Sequence, residues 1–138
     1  MNTSLKNILA VVAGFLVGSA VNMGLVMISG SVIPPPEGAD TTTMEGLKEA
    51  MHLFEAKHFV FPFLAHACGT FVGAFVAYLI AGSHRLKFAL GIGCFFLFGG
   101  LANVFMLPTP LWYAFVDILG AYIPMAWFAV LLAKRFSK

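Results

Sequence analysis

Four polar side chains that could bind a ligand or a proton lie inside otherwise apolar stretches of this chain. They are Asn22, His66, Asn103 and Asp117. Imidazole and carboxylate groups exchange protons and attract each other when charged, and each carboxamide both donates and accepts hydrogen bonds. An ionised Asp at the centre of a membrane helix costs about 2.5–3.5 kcal/mol, so Asp117 is expected to be protonated, hydrated from outside, or paired, and His66 is the expected partner.

The apolar stretches that carry these residues are each long enough to cross a bilayer. They cover residues 7–30, 59–82, 88–107 and 111–133, and a helix of about 20 residues spans the hydrocarbon core. With 60% hydrophobic and 10% charged residues in a chain of 138, no room is left for a separate soluble domain. The sequence therefore predicts a single all-α integral membrane domain over 1–138, with four transmembrane helices. Trp112 and Tyr113 begin the fourth helix, where an interfacial aromatic belt is expected.

Helix geometry places the four polar residues in one layer. With a rise of 1.5 Å per residue, all four fall roughly 5–9 Å to one side of the bilayer midplane. Glycines accompany them on the same helix faces: Gly14, Gly18, Gly69, Gly73, Gly99 and Gly120. Because small residues let helices approach closely, these faces are expected to point into the bundle. The layer is interpreted either as a ligand-binding or proton-binding site, or as interhelical hydrogen bonds that only support packing.

The basic residues indicate how the chain is oriented. Six of the eight are Lys6 before the first stretch, Arg85 and Lys87 between the second and third, and Lys134, Arg135 and Lys138 after the fourth, whereas Lys48 and Lys57 lie in the 31–58 loop. Five of the six acidic residues lie instead in the 31–58 loop. Since cytoplasmic loops are rich in Lys and Arg, both termini are predicted to be cytoplasmic and the 31–58 loop external. The predicted location is a cell membrane of the prokaryotic inner-membrane type, crossed in several passes.

The external loop contains a predicted short amphipathic helix over about 43–58. Thr42 and Glu45 have the spacing of a capping box, and apolar residues recur at steps of three and four: Met44, Leu47, Met51 and Phe54. The opposite face carries Glu49, His52, Glu55 and His58. A helix turns about 300° in three residues, so these four side chains cannot all reach one ion. This face is interpreted as solvated, or as a weak metal site of His52, Glu55 and His58.

The two halves of the chain share a short pattern that indicates an internal repeat. Gly18 precedes Asn22 by four residues and Gly99 precedes Asn103 by four, and each pair is followed by a proline-rich break. The halves are therefore predicted to be two parallel helical-hairpin repeats, related by an axis along the membrane normal. The alternative is chance similarity between apolar helices.

Common catalytic and nucleotide-binding motifs are absent from the sequence. There is no P-loop, Rossmann fingerprint, Gly-x-Ser-x-Gly or His-Glu-x-x-His motif. His66 and Asp117 form the only candidate acid–base pair, and no catalytic residue is assigned. An intramembrane enzyme stays an open but less favoured interpretation. The sequence identifies no cofactor, and without basic residues interleaved with aromatics it predicts no nucleic-acid partner.

Two interpretations of function follow. The favoured one, because it requires the least chemistry, is an accessory or interaction subunit that binds a larger membrane protein through the glycine faces and the acidic loop. The alternative is a small oligomeric transporter or a ligand- or ion-binding membrane protein that uses the Asn22, His66, Asn103 and Asp117 layer. The expected partners are the lipid bilayer and either a second copy of the chain or a larger membrane protein.

Overall fold

The computed structural model describes residues 1–137, so that Lys138 lies outside it, and the described chain consists of helices and their connections. The α-helices are α1 Thr3–Val32, α2 Met44–Ala50, α3 Val60–Ile80, α4 Arg85–Met106, α5 Leu111–Gly120 and α6 Ile123–Phe136, with 3-10 turns at Met51–Leu53 and Ala56–Phe59. Four helical segments are long and apolar enough to cross a membrane: Thr3–Val32, Ala56–Ile80, Arg85–Met106 and Leu111–Phe136. The all-α class is thus confirmed, and so is the presence of four helical segments with the length and apolar character of membrane spans.

Glycines hold α1 against α3 in the most extensive helix contact of the structure. A Cβ built on Gly14 would lie 2.8 Å from the carbonyl oxygen of Gly73, and one built on Gly73 would lie 2.7 Å from that of Gly14. Gly18 and Gly69 face each other in the same way, at 2.7 and 2.8 Å. The two backbones are therefore in direct contact over one turn of each helix, and no side chain fits between them.

Alanines fill the core between α3, α4 and α6. The fully buried residues there include Ala74, Ala77, Ala89, Ala126, Ala129, Val130 and Ala133. Small side chains allow three helices to pack closely over more than two turns, which fixes α6 against both α3 and α4. By contrast, α1 packs on α3 and more lightly on α4, and therefore lies at the edge of the bundle.

The fourth spanning segment is broken where the sequence predicts a continuous helix over 111–133. α5 ends at Gly120, α6 begins at Ile123, and Tyr122 has a non-helical backbone with φ −114° and ψ −81°. Pro124 is the cause, because a proline inside a helix clashes with the carbonyl four residues earlier but is tolerated in the first turn. Restarting the helix at Ile123 places Pro124 in that first turn.

The connection between α1 and α3, residues 33–59, is here called the long loop. Thr43, and not Thr42, caps α2: its hydroxyl oxygen accepts from the amide of Gly46 at 3.0 Å. Thr42 instead donates from its hydroxyl and its amide to one carboxylate oxygen of Asp40, at 2.6 and 2.9 Å. These two bonds favour the charged form and lower the pKa of Asp40.

The amphipathic helix expected over 43–58 is shorter in the structure, and a separate helical turn begins at Ala56. The amide of Glu55 donates to Nδ1 of His58 at 2.8 Å, and the Glu55 side chain accepts in return from the backbone of His58. This reciprocal cap begins a new turn, so α2 ends at Ala50 and Phe54 has extended backbone. The apolar face of the long loop still packs inward, with Met51 and Phe59 buried against the start of α5.

The glycine contact between α1 and α3 leads to a paired test of stability. Gly73→Ala would place a methyl group against the backbone of α1, and this overpacking is expected to lower the free energy of unfolding by about 1–3 kcal/mol. Gly24→Ala is the matched control, because a Cβ there meets nothing within 4 Å and alanine favours the helix by up to about 1 kcal/mol. Denaturation of both variants in micelles, followed by circular dichroism, measures the difference. Equal stability of the two variants would contradict the backbone contact.

Candidate ligand-binding site

Asp117 is the centre of a buried hydrogen-bond cluster in the last turn of α5. The residue is 3% exposed. Nδ1 of His66, on α3, lies 2.8 Å from one carboxylate oxygen and 3.0 Å from the other. The hydroxyl of Tyr122 donates to Oδ2 at 3.0 Å, and that of Tyr113 approaches Oδ1 at 3.4 Å. The pair expected from the sequence is thus present, with two tyrosines added to it.

This cluster determines which nitrogen of His66 is free. With three donors directed at it, the carboxylate acts as the acceptor, and Nδ1 of His66 therefore carries a proton. In the neutral imidazole the other nitrogen, Nε2, is then an acceptor. The ring of Tyr122 lies against that of His66, with centroids 5.6 Å apart and an angle of 30° between the planes. The hydrogen bond to Asp117 and the contact with Tyr122 together hold the imidazole in one orientation.

His66 lines a cavity of about 390 Å³ that lies between α1, α3 and α4. The polar residues around it are Ser19, Asn22, His66, Thr70, Asn103 and Tyr122. Three members of the predicted polar layer therefore meet at one space, and the fourth, Asp117, lies behind His66. No Lys, Arg, Asp or Glu belongs to the described lining, so the cavity wall carries no permanent charge.

Thr70 has a hydroxyl oxygen without a hydrogen-bond partner in residues 1–137. The residue is 1% exposed and follows His66 by one helical turn, on the same face of α3. Leaving a buried hydroxyl unpaired costs about 1–3 kcal/mol. Because Thr70 lines the His66 cavity, a molecule in that cavity can supply the partner.

The cavity is closed on one side and open on the other. Thr70 and Tyr122 are buried in its floor, whereas Met23 of α1 and both Gly99 and Asn103 of α4 are exposed at its rim. The opening therefore lies between α1 and α4, and along α4 it extends from Gly99 to Asn103 in the last turn of that helix.

A second cavity, of about 270 Å³, lies beneath the long loop. Tyr113 and Asp117 line it from α5, and apolar side chains of the loop cover it. His66, Gly100 and Asn103 belong to the walls of both cavities. His66 thus stands where the two cavities meet.

The three residues of the weak metal site do not form a group in the structure. Among residues 1–137, no three His, Cys, Asp or Glu side chains are close enough to hold one ion. Nδ1 of His52 lies 2.7 Å from the carbonyl oxygen of Glu49, and Nδ1 of His58 accepts from the amide of Glu55. Each histidine therefore has only Nε2 left, and metal binding by His52, Glu55 and His58 stays a prediction.

Sequence reasoning missed both tyrosines of the site. Tyr113, expected at the membrane interface, is buried with its ring 4.6 Å from that of Phe59. Tyr122 follows Asp117 by five residues, which in a continuous helix would place it about 140° away around the axis. The break before Pro124 turns it back toward the carboxylate. A tyrosine two residues before an intrahelical proline is the signal that could have found it.

The hydrogen bonds around Asp117 predict the tautomer of His66. In protein labelled with ¹⁵N-histidine, the neutral ring is expected to carry its proton on Nδ1, because the carboxylate accepts it. Asp117→Leu removes the acceptor and should shift the proton toward Nε2. Tyr113→Phe, which removes only the 3.4 Å contact, should leave the tautomer unchanged. The ¹⁵N chemical shifts of the ring distinguish these forms, and an Nε2-protonated ring in the unmodified protein would disprove the assignment.

No protein-family model, curated protein or solved structure shows a significant match to this chain.

Proposed function

We propose that this protein is a small multi-pass membrane protein that binds a small ligand in the His66 cavity. The observation that carries the proposal is convergence: Asn22, His66, Asn103 and the unpaired hydroxyl of Thr70 all line one space. Its volume of about 390 Å³ lies in the range of roughly 300–1,000 Å³ that small-molecule sites occupy.

The alternative interpretation of the polar layer, as packing contacts only, fits the structure less well. Polar residues that only join helices bond to one another, as His66 does to Asp117. Within residues 1–137, the side-chain carboxamides of Asn22 and Asn103 make no hydrogen bond. Both carboxamides line the cavity instead, where they can bond to a ligand.

The proposal includes the predicted membrane orientation. Asn7, near the start of α1, accepts through its side-chain oxygen from the amides of Gly82 and Ser83, at 3.0 and 3.2 Å. These two hydrogen bonds place Lys6 and Arg85 at the same end of the bundle, which supports a cytoplasmic location for that end and an external one for the long loop. Assignment to a prokaryotic inner membrane rests on the charge pattern alone.

The proposal includes a common origin of the two helical hairpins, although their packing differs. Asn22 and Asn103 occupy equivalent positions in the pattern and line the same cavity, which supports a common origin of the halves. Their glycines differ, because a Cβ on Gly18 would strike the backbone of α3, whereas one on Gly99 would meet nothing within 4 Å. Any duplication has therefore been followed by divergence in packing.

The interpretation of the protein as an interaction subunit stays a prediction. Most of the glycine surface that it assigned to a partner is already used inside the bundle. It assigned the glycine faces to a partner, but Gly14, Gly18, Gly69 and Gly73 are occupied by the contact between α1 and α3. A partner would have to use open positions such as Gly24 and the acidic side of the long loop. The internal use of these glycines is the reason to prefer ligand binding.

Native mass spectrometry of the protein, extracted gently from its own membrane, tests the proposal. The unmodified protein is expected to carry a stoichiometric additional mass, which His66→Ala and Asp117→Asn should remove by deleting the imidazole or its orienting charge. Cys94→Ala is the control, because this exposed thiol on α4 lies outside the cavity wall, and it should retain the mass. Bare unmodified protein, or a mass unaffected by the first two variants, would refute the proposal.

A further inference from the structure

We infer that the His66 cavity takes the uncharged, hydroxyl-bearing head of an amphiphile that is dissolved in the bilayer and enters between α1 and α4. This inference rests on the proposed function and specifies its ligand. Three independent features of the cavity lead to it: the charge of its wall, the balance of its donors and acceptors, and the position of its opening.

The charge of the wall excludes a charged head. The described lining has no Lys or Arg to pair with an anion and no Asp or Glu to pair with a cation. Asp117 is near, but its two oxygens already accept from His66 and Tyr122, and it lies on the far side of the imidazole. Moving an ion from water into such a space without a counter-charge is strongly unfavourable. A neutral head avoids this desolvation cost.

The hydrogen-bonding groups of the cavity include acceptors that require a donor on the ligand. Nε2 of His66 is an acceptor when Nδ1 is protonated. The hydroxyl of Tyr122 already donates its hydrogen bond to Asp117, so toward a ligand its oxygen can only accept. A ligand hydroxyl can donate to one of these acceptors and accept in turn from Thr70 or from the carboxamides of Asn22 and Asn103. An ether or ester head offers no donor and would leave Nε2 of His66 unpaired.

The position of the opening favours a ligand that enters the cavity from the bilayer. Gly99 and Met23 are exposed at the rim, and both lie well inside helices that are long and apolar enough to span a membrane. In the proposed orientation this rim faces acyl chains. The apolar side chains of Met23 and Phe96 beside it suit the proximal part of an alkyl tail, while the polar head reaches the floor at Thr70.

A series of probes with one tail and different heads tests the class of ligand. Oleyl alcohol, oleic acid, oleylamine and methyl oleyl ether are added in turn to the full chain in nanodiscs, and bound mass is counted by native mass spectrometry. Oleyl alcohol is expected to bind saturably at one molecule per chain, and each of the other probes about tenfold more weakly, because each leaves a polar group or a charge unpaired. Preference for the acid or the amine, or equal binding of the ether, would overturn the inference.

Substitutions of matched glycines test the route of entry. Gly99→Leu fills the rim without striking a neighbour, because a Cβ there meets nothing within 4 Å, and is expected to reduce oleyl alcohol binding about tenfold. Gly24→Leu, equally free of neighbours but outside the cavity wall, should bind as the unmodified protein does. Thr70→Val, which keeps the shape and removes the hydroxyl, should weaken binding about fivefold. Full binding by Gly99→Leu would exclude lateral entry.

The outcomes separate this inference from the proposed function. If protein from its own membrane carries a mass that depends on His66, and oleyl alcohol still does not bind, the ligand class is wrong and the site remains. If no such mass is present and none of the four probes binds, both are wrong. A mass from the native membrane that depends on His66, together with oleyl alcohol binding that is lost in His66→Ala, supports both.

Discussion

A carboxylate buried among apolar helices requires hydrogen-bond donors around it, and the arrangement around Asp117 follows from this requirement. One partner comes from α3, one from α5 itself and one from the break that follows α5. Each partner ties a different part of the bundle to the same two oxygens. The carboxylate thus joins elements that otherwise pack through small apolar side chains, and low polarity around it strengthens every bond in the cluster.

The glycine contact between α1 and α3 continues directly into the wall of the cavity, which Gly69 lines. The two backbones touch at Gly14, Gly18, Gly69 and Gly73, and one turn beyond that contact the side chains of Asn22 and His66 replace glycine hydrogens. At Asn22 the helix α1 is still close to α3, because a Cβ built on Gly69 would lie 3.0 Å from the Cβ of Asn22. Gly69, Asn22 and His66 line the cavity together. In the sequence Asn22 follows Gly18 by four positions and His66 precedes Gly69 by three, so each polar side chain lies about one turn from a glycine of the contact.

Hydropathy and desolvation cost are sufficient to predict four long apolar helical segments and the pairing of His66 with Asp117, because these follow from the composition of each segment and from the cost of burying one carboxylate. What could not be predicted depends on contacts between helices. The involvement of Tyr122 required the helix break before Pro124, and the unpaired hydroxyl of Thr70 is visible only once its neighbours are placed. The long loop departed from its periodicity because the mutual cap of Glu55 and His58 outweighed continuation of α2.

The break in the fourth spanning segment gives that segment two mechanical parts. α6 is clamped in the alanine core with α3 and α4, whereas α5 is attached at its far end to the long loop, where Phe59 lies against Tyr113. The two parts are joined at Ala121 and Tyr122, both of which are buried. The hydrogen bond from Tyr122 to Asp117 spans this break, and Asp117 binds His66, so the connection between the alanine core and the long loop passes directly behind the histidine of the cavity wall.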